Sequence, residues 1–329
     1  MMKNTAIKLA VLGALGVVTT QVAMADWTNL PATGVSVGGN TSPYLLCNTT
    51  GDFGSGITTK PTSNSDACAR ILTFETQVPD PTYTGFSSIP VASATRTITM
   101  NNTYTNFSNV NVGELRELVW RKSSGGVYEC IYGVKINLNN VDYNLLEAGF
   151  QTFEVNDIAR GGWGNVDLDI AYSTYAAVAD PTYRAGRTFT SVQRRNETGY
   201  VNQPLTPGST ASINGVNTYP TPSGQPTAAQ QSAQLNSNWV DFTADVNFQD
   251  DDGSSVAASG WYYVRTACSS AAPVATANAI RLRQTFQELA GDGTSPNPFI
   301  EVPMTGFILD SAIGGGSVTP APNAPTNPY

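Results

Sequence analysis

From Val240 to Phe248 apolar and polar residues alternate without a break: Val240, Phe242, Ala244, Val246 and Phe248 on one side, Asp241, Thr243, Asp245 and Asn247 on the other. Successive side chains of a strand project to opposite faces, so a period of two predicts a half-buried β-strand with its polar face in water. The acidic run Asp250-Asp251-Asp252-Gly253-Ser254-Ser255 follows, and Trp261-Tyr262-Tyr263-Val264 then leads to Cys268. We read a strand, an acidic tip and a returning strand.

The same texture runs through much of the chain. Strands are predicted at Arg70 to Thr76, Thr95 to Met100, Glu117 to Trp120, Val127 to Leu138, Phe150 to Val155, Val166 to Tyr175 and Thr188 to Gln193. Others follow at Ala279 to Gln287, Phe299 to Val302 and Met304 to Leu309. Many short strands separated by Gly, Pro, Asn and Ser clusters predict an all-β fold, an antiparallel β-sandwich or a jelly-roll-like variant of one. Residues 26–110 are expected to form a smaller disulfide-containing region and 111–313 the main sandwich. Residues 199–226, rich in Pro, Thr, Ser, Gly and Asn, read as a long loop, with a short helix expected at Ala228 to Leu235. The tail 314–329 has too little apolar surface to order itself and is expected to be disordered.

The start of the chain carries Lys3 and Lys8, the apolar run Leu9 to Val18 and Ala23-Met24-Ala25. A basic stretch, a short apolar core and an A-x-A site make residues 1–25 a secretory signal peptide of bacterial style. No integral membrane segment is expected in the mature chain, which is read as periplasmic, cell-surface or extracellular. With 17 basic and 25 acidic residues the net charge is −8, which argues against nucleic acid as a partner. Four cysteines in an exported chain are expected to pair, and four allow three connectivities. Cys47 with Cys68 and Cys130 with Cys268 is preferred, because the first pair closes a loop with little core of its own, worth roughly 3 kcal/mol in the chain-entropy model.

There is no histidine anywhere in the chain. That excludes a Ser-His-Asp triad, a Cys-His nucleophile pair and His-ligated zinc. Lys60, Lys122 and Lys135 do not stand in an S-x-x-K motif, and no phosphate-binding G-x-x-x-x-G-K-[ST] loop or G-x-S-x-G elbow occurs. Carboxylate chemistry survives this screen, since a glycosidase needs only two acidic side chains across a cleft. Glu154 and Asp157, with Trp163 as a stacking platform for a sugar, are the glycan-binding candidates, in a stretch expected to join two strands; Trp261 and Tyr262 are further aromatic candidates. A salt-bridged loop around Arg160 is the structural alternative.

Asp250, Asp251, Asp252 and Ser254 could supply oxygen ligands to calcium, the one cofactor that the composition suggests. They do not form an EF-hand, because Phe248 and Ser259 fall where acidic ligands belong. The competing reading is a solvated turn whose like charges discourage edge pairing. Arginines gather at Arg184, Arg187, Arg194 and Arg195, and Arg281 and Arg283 share one strand face; internal pairing with the Asp167/Asp169 or Asp241/Asp245 rows is expected. The functional expectation is a non-enzymatic structural or adhesive protein of the bacterial exterior, whose partners are copies of itself, other surface components or glycans. A carbohydrate-binding module or glycosidase, and a calcium-stabilised binding domain, are the alternatives.

Overall fold

The computed structural model describes residues 27–37, 40–47, 68–71, 85–146, 148–173, 182, 184–189, 235–249, 256–285 and 299–319. Its strands are β1 (Thr28–Leu30), β2 (Val35–Val37), β3 (Asn40–Ser42), β4 (Tyr44–Leu46), β5 (Ala69–Arg70), β6 (Ala92–Met100), β7 (Val110–Ser124) and β8 (Val127–Leu138). The remainder are β9 (Val155–Gly161), β10 (Leu168–Ser173), β11 (Arg184–Gly186), β12 (Trp239–Val246), β13 (Trp261–Cys268), β14 (Val274–Thr285) and β15 (Phe299–Ile308). Two sheets pack face to face as an all-β sandwich. The first has the order β1-β10-β13-β8-β7-β6, with β5 added parallel to β10. The second runs β15-β14-β9-β12-β11-β4, and β2-β3 form a separate ribbon.

The long pair at the centre of the first sheet is set by a two-residue turn. Ser124 pairs with Val127, and Gly125 and Gly126 between them have φ of 58° and 83°, the left-handed backbone that a tight hairpin requires and glycine adopts at least cost. Between the sheets lies an apolar layer: Val240, Phe242, Ala244 and Val246 from β12 face Tyr262 and Val264 from β13 and Tyr132, Val134 and Ile136 from β8. The rings of Phe242 and Tyr262 meet across it at 5.1 Å.

The strand, acidic tip and returning strand are not a hairpin. β12 pairs with β9 and β11 in the second sheet, whereas β13 pairs with β8 and β10 in the first. The connection therefore arches from one sheet to the other, held at its ends by bridges from Asn247 to Val256 and from Asn137 to Ala258. Alternation specifies a strand but not its neighbour, which in hairpins is fixed by short turn chemistry that 247–260 lacks. Asp250, Asp251, Asp252 and Ser254, the calcium candidates, lie outside the described residues.

The polar face of β12 is not in water either. Asp241, Thr243 and Asp245 are buried with the rest of the strand. The chain at Arg187–Phe189 lies against this outer face, where the Phe189 ring sits 4.6 Å from that of Trp239, with Ala159 completing the cluster. The outer face of the first sheet is covered as well: Trp120, Ile131, Ala171, Trp261 and Tyr263 form a second buried cluster with Trp27, Ala69 and Ile71.

Both expected disulfides are present, Cys47–Cys68 and Cys130–Cys268, and among the described residues no cysteine is free. Cys130–Cys268 joins neighbouring strands β8 and β13. Cys47 follows β4 in the second sheet and Cys68 precedes β5 in the first, so this bond staples the sheets together. Strands before residue 110 thus enter both sheets, and β6 and β7 pair across that expected boundary. In the expected disordered tail, residues 314–319 are tied down: Gly316 N donates to Gly162 O at 3.1 Å and Trp239 Nε1 to Thr319 O at 3.3 Å. The expected signal peptide 1–25, the loop 199–226 and all of the expected helix except Leu235 fall outside the described residues. Among the described residues no helix is long and apolar enough to cross a membrane.

One charged contact crosses the apolar layer. Glu117 of β7 is buried, and its carboxylate accepts from Arg160 Nη2 of β9 at 2.9 Å, from Arg96 Nη1 of β6 at 2.5 Å and from the Phe307 backbone N of β15 at 3.2 Å. Arg160 also donates to Tyr132 O at 3.2 Å and Phe307 O at 3.4 Å, and its guanidinium lies 5.5 Å from the Trp163 ring. Glu117→Ala leaves a buried guanidinium uncompensated and is expected to cost about 3–5 kcal/mol in urea unfolding, whereas exposed Glu114→Ala should change stability by less than about 0.5 kcal/mol. Equal effects would mean that this contact does not join the sheets.

Candidate functional site

The stretch expected to be a site loop is a central strand. Residues 155–161 form β9, buried throughout and flanked by β14 and β12. Trp163 has 0% of its surface exposed, and its indole N–H donates to Arg160 O at 2.9 Å, so no face is open to a sugar ring. Glu154 accepts from the amide of Asn156 and shares that residue's side of the chain, while Asp157 alternates to the other side. The structure therefore does not bring Glu154, Asp157 and Trp163 together as a glycan site. Trp261 and Tyr262 are likewise buried, Tyr262 between the sheets and Trp261 in the outer aromatic cluster. The competing reading of Arg160 as an ion-pair partner is the one the geometry supports, with Glu117 as a partner that sequence spacing did not suggest.

Asp157 instead meets residues of β12 and β14. Thr243 Oγ1 donates to its Oδ1 at 3.2 Å, and register places Arg283 opposite it on β14. Arg283 Nε binds Glu301 at 2.9 Å, Arg281 Nη1 binds the same carboxylate at 2.6 Å, and the Arg283 guanidinium lies 3.9 Å from the centre of the Phe189 ring. The expected internal pairing of Arg281 and Arg283 holds, with Glu301 as their shared partner and the charge of Arg283 also acting on Asp241. Asp169 is met by Arg265 of β13 at 2.5 Å.

Asp241 lies on the same face as Asp157, two residue pairs along the β9–β12 ladder. It is fully buried, and among the described residues neither carboxyl oxygen has a hydrogen-bond donor. Burial drives its pKa well above the ordinary carboxylate value, and the neighbouring Asp157 adds to the rise because two anions this close repel; Arg283 opposes it. Protonation of Asp241 relieves this repulsion, an electrostatic arrangement that acid–base chemistry also uses. Here it is sealed under Phe189 and Trp239. The sequence signal for this cluster was Trp239, a large aromatic in the same register as Asp241 and Thr243, where a wet face has no use for one.

Arg187, one of the gathered arginines, is buried and donates through Nη2 to Gly164 O at 3.0 Å and Val166 O at 3.1 Å. Desolvation pushes its pKa down to about 10. Arg194 and Arg195 fall outside the described residues.

With the centres of both outer faces covered, what lies open is the margin of the sheets. The far edge of the first sheet is made by β1 and β5, of 3 and 2 residues, and that of the second by β4, of 3 residues. β15 is longer, but Pro303 removes a donor from its middle and its Phe307 N–H and C=O are taken by Glu117 and Arg160. β6 is different. It runs for nine residues without proline, paired on one side only among the described residues, with Ser93, Thr95, Thr97 and Thr99 exposed. Its one charged residue, Arg96, is turned to Glu117 and to the Phe307 ring at 5.2 Å. A groove of about 380 Å³ lies beside it, lined by Pro90, Ser93, Thr95, Arg116 and Leu118 among others. Compared with known proteins, the chain matches no family model, no curated protein and no solved structure.

Because the raised pKa of Asp241 means that the folded state binds a proton more tightly than the unfolded one, its contribution to stability is greatest in acid and is lost as pH rises from the ordinary carboxylate range through the folded value. Asp241→Asn should therefore raise the melting temperature at pH 8 by about 2 °C or more and have a smaller effect at pH 4. A lower melting temperature at pH 8 would show that the ionised carboxylate is the stabilising form.

Proposed function

We propose that the protein is an exported structural or adhesive component of the bacterial exterior, and that the open edge of β6 is the surface through which it joins other subunits. The observation that carries this reading is the difference between β6 and the other sheet edges. Folded proteins protect long edges with proline, charge, bulges or a covering element, because an exposed ladder of backbone donors and acceptors pairs with other chains. β15 carries such protection and the remaining edges are short, whereas β6 presents roughly 30 Å of strand at about 3.3 Å per residue. Backbone pairing at such an edge supplies affinity without a deep pocket.

Two further features support the reading. Two disulfides suit an oxidising, exported setting, and one of them fastens the sheets against each other. The absence of histidine from the sequence removes the usual hydrolytic sets, and the carboxyl pair that remains is buried under aromatic side chains.

Immunogold electron microscopy of cells producing the full chain tests the location. Labelling on the cell surface or on extracellular material is expected, and gold confined to the cytoplasm would overturn the reading.

A further inference from the structure

We infer that β6 pairs with β6 of a second copy of this chain, antiparallel about a two-fold axis, making one continuous sheet from the first sheets of both molecules. This rests on the proposed assembly role and names the partner. The outward residues of β6 are Ser93, Thr95, Thr97 and Thr99, all neutral and all able to donate and accept. A chain with a net charge of −8 repels its own copies, and a neutral hydroxyl row lets this edge approach an identical one without like charges meeting on its outer side; on the inner side the two Arg96 side chains come together at the two-fold, each already paired with Glu117 of its own copy. Cross-strand Thr pairs are favourable, and a register that sets Thr95 opposite Thr97 keeps hydroxyls on one face and Ala92, Ala94 and Ile98 on the other.

The flanking strand selects the direction. On β7 the neighbours of Thr95 and Thr97 are Arg116 and Glu114. Antiparallel pairing puts the Arg116 row of one copy in line with the Glu114 row of the other, so opposite signs flank the seam; parallel pairing would align like with like. Arg96, on the inner side, has its charge already met by Glu117. The register of β6 against β7 is regular from Ala92 to Ile98 and shifts only after it, so the central residues form a straight template. Just before the strand, Ile89 is 74% and Val91 39% exposed, apolar surface beside the seam that a second copy would cover.

The test uses charge on the mature protein, with circular dichroism and melting temperature confirming that each variant is folded. In analytical ultracentrifugation the wild type is expected to dimerise, and Thr97→Lys and Thr97→Glu are each expected to weaken the dimer at least tenfold. An equimolar mixture of the two variants should regain dimers, because opposite charges then lie diagonally across the two-fold, within reach of each other's long side chains. A wild type that stays monomeric at several hundred micromolar, or a Thr97→Lys variant that dimerises unchanged, overturns the inference. If both variants lose assembly and mixing restores nothing, self-pairing is overturned in favour of a strand of different sequence at the same edge. Each of these outcomes is independent of the gold labelling, which judges the surface role alone.

Discussion

The carboxylate of Glu117 governs how the two sheets can sit. It is the meeting point of strands from both: β7 carries it, β6 and β9 bring arginines to it, and β15 donates a backbone N–H. Burial pushes its pKa up and that of Arg160 down, and each charge opposes the shift of the other. Such a contact contributes little net stability compared with an apolar pair, because desolvation offsets most of the attraction. Its effect is selective. A slide of one sheet by one residue would leave both charges in the apolar layer without partners, and that alternative is penalised far more than the native contact is rewarded.

Around this contact the molecule is layered more deeply than a two-sheet sandwich needs to be. The apolar layer lies between the sheets, an aromatic layer covers the outside of the first, and a charged layer containing Asp157, Asp241, Arg283 and Glu301 lies outside the second beneath Phe189. Gly161 shows how closely the outer layer is fitted, since a Cβ there would stand 2.8 Å from the Trp239 ring. The covering explains why the aromatic and acidic residues that suggest sugar chemistry in the sequence have no access to it. Trp163 and Trp261 are packed, and the two carboxylates are buried, Glu154 against the Asn156 amide and Asp157 against the Thr243 hydroxyl.

Much of the fold was legible. β8, β10 and β12 alternate strongly, and the matching strands lie within two residues of their expected limits or coincide with them. Both disulfides followed from which loop had least core of its own. β9 was not legible as a strand, because Glu154, Asn156, Asp157 and Arg160 with two glycines have the composition of a surface turn; it is a strand because Asp157 finds a partner on the neighbouring β12 and Arg160 one on the opposite sheet, while Glu154 is met by Asn156. No local window contains that information. The wet face expected for Asp241 failed for a related reason: alternation reports that two faces differ, and says nothing about whether a distant segment of chain, here Arg187–Phe189, will cover the polar one. The arch between β12 and β13 was hidden because strand rhythm is silent on pairing.

The burial of polar groups on the faces also bears on what the edges can do. A sheet whose outer face is open can recruit partners through side chains, and its edges then need only be kept quiet. Here the centres of the outer faces are covered and the row along β6 stands open at one margin, so that protection of the edges becomes selective. β15 shows protection from within: Pro303 breaks its donor row, and Glu117 and Arg160 take up the outward N–H and C=O of Phe307. The same Glu117 draws Arg96 inward and so removes from β6 the one charge that would have guarded it. One buried carboxylate thus closes one edge and bares the edge beside it, which makes the sheet contact and the open edge consequences of a single residue.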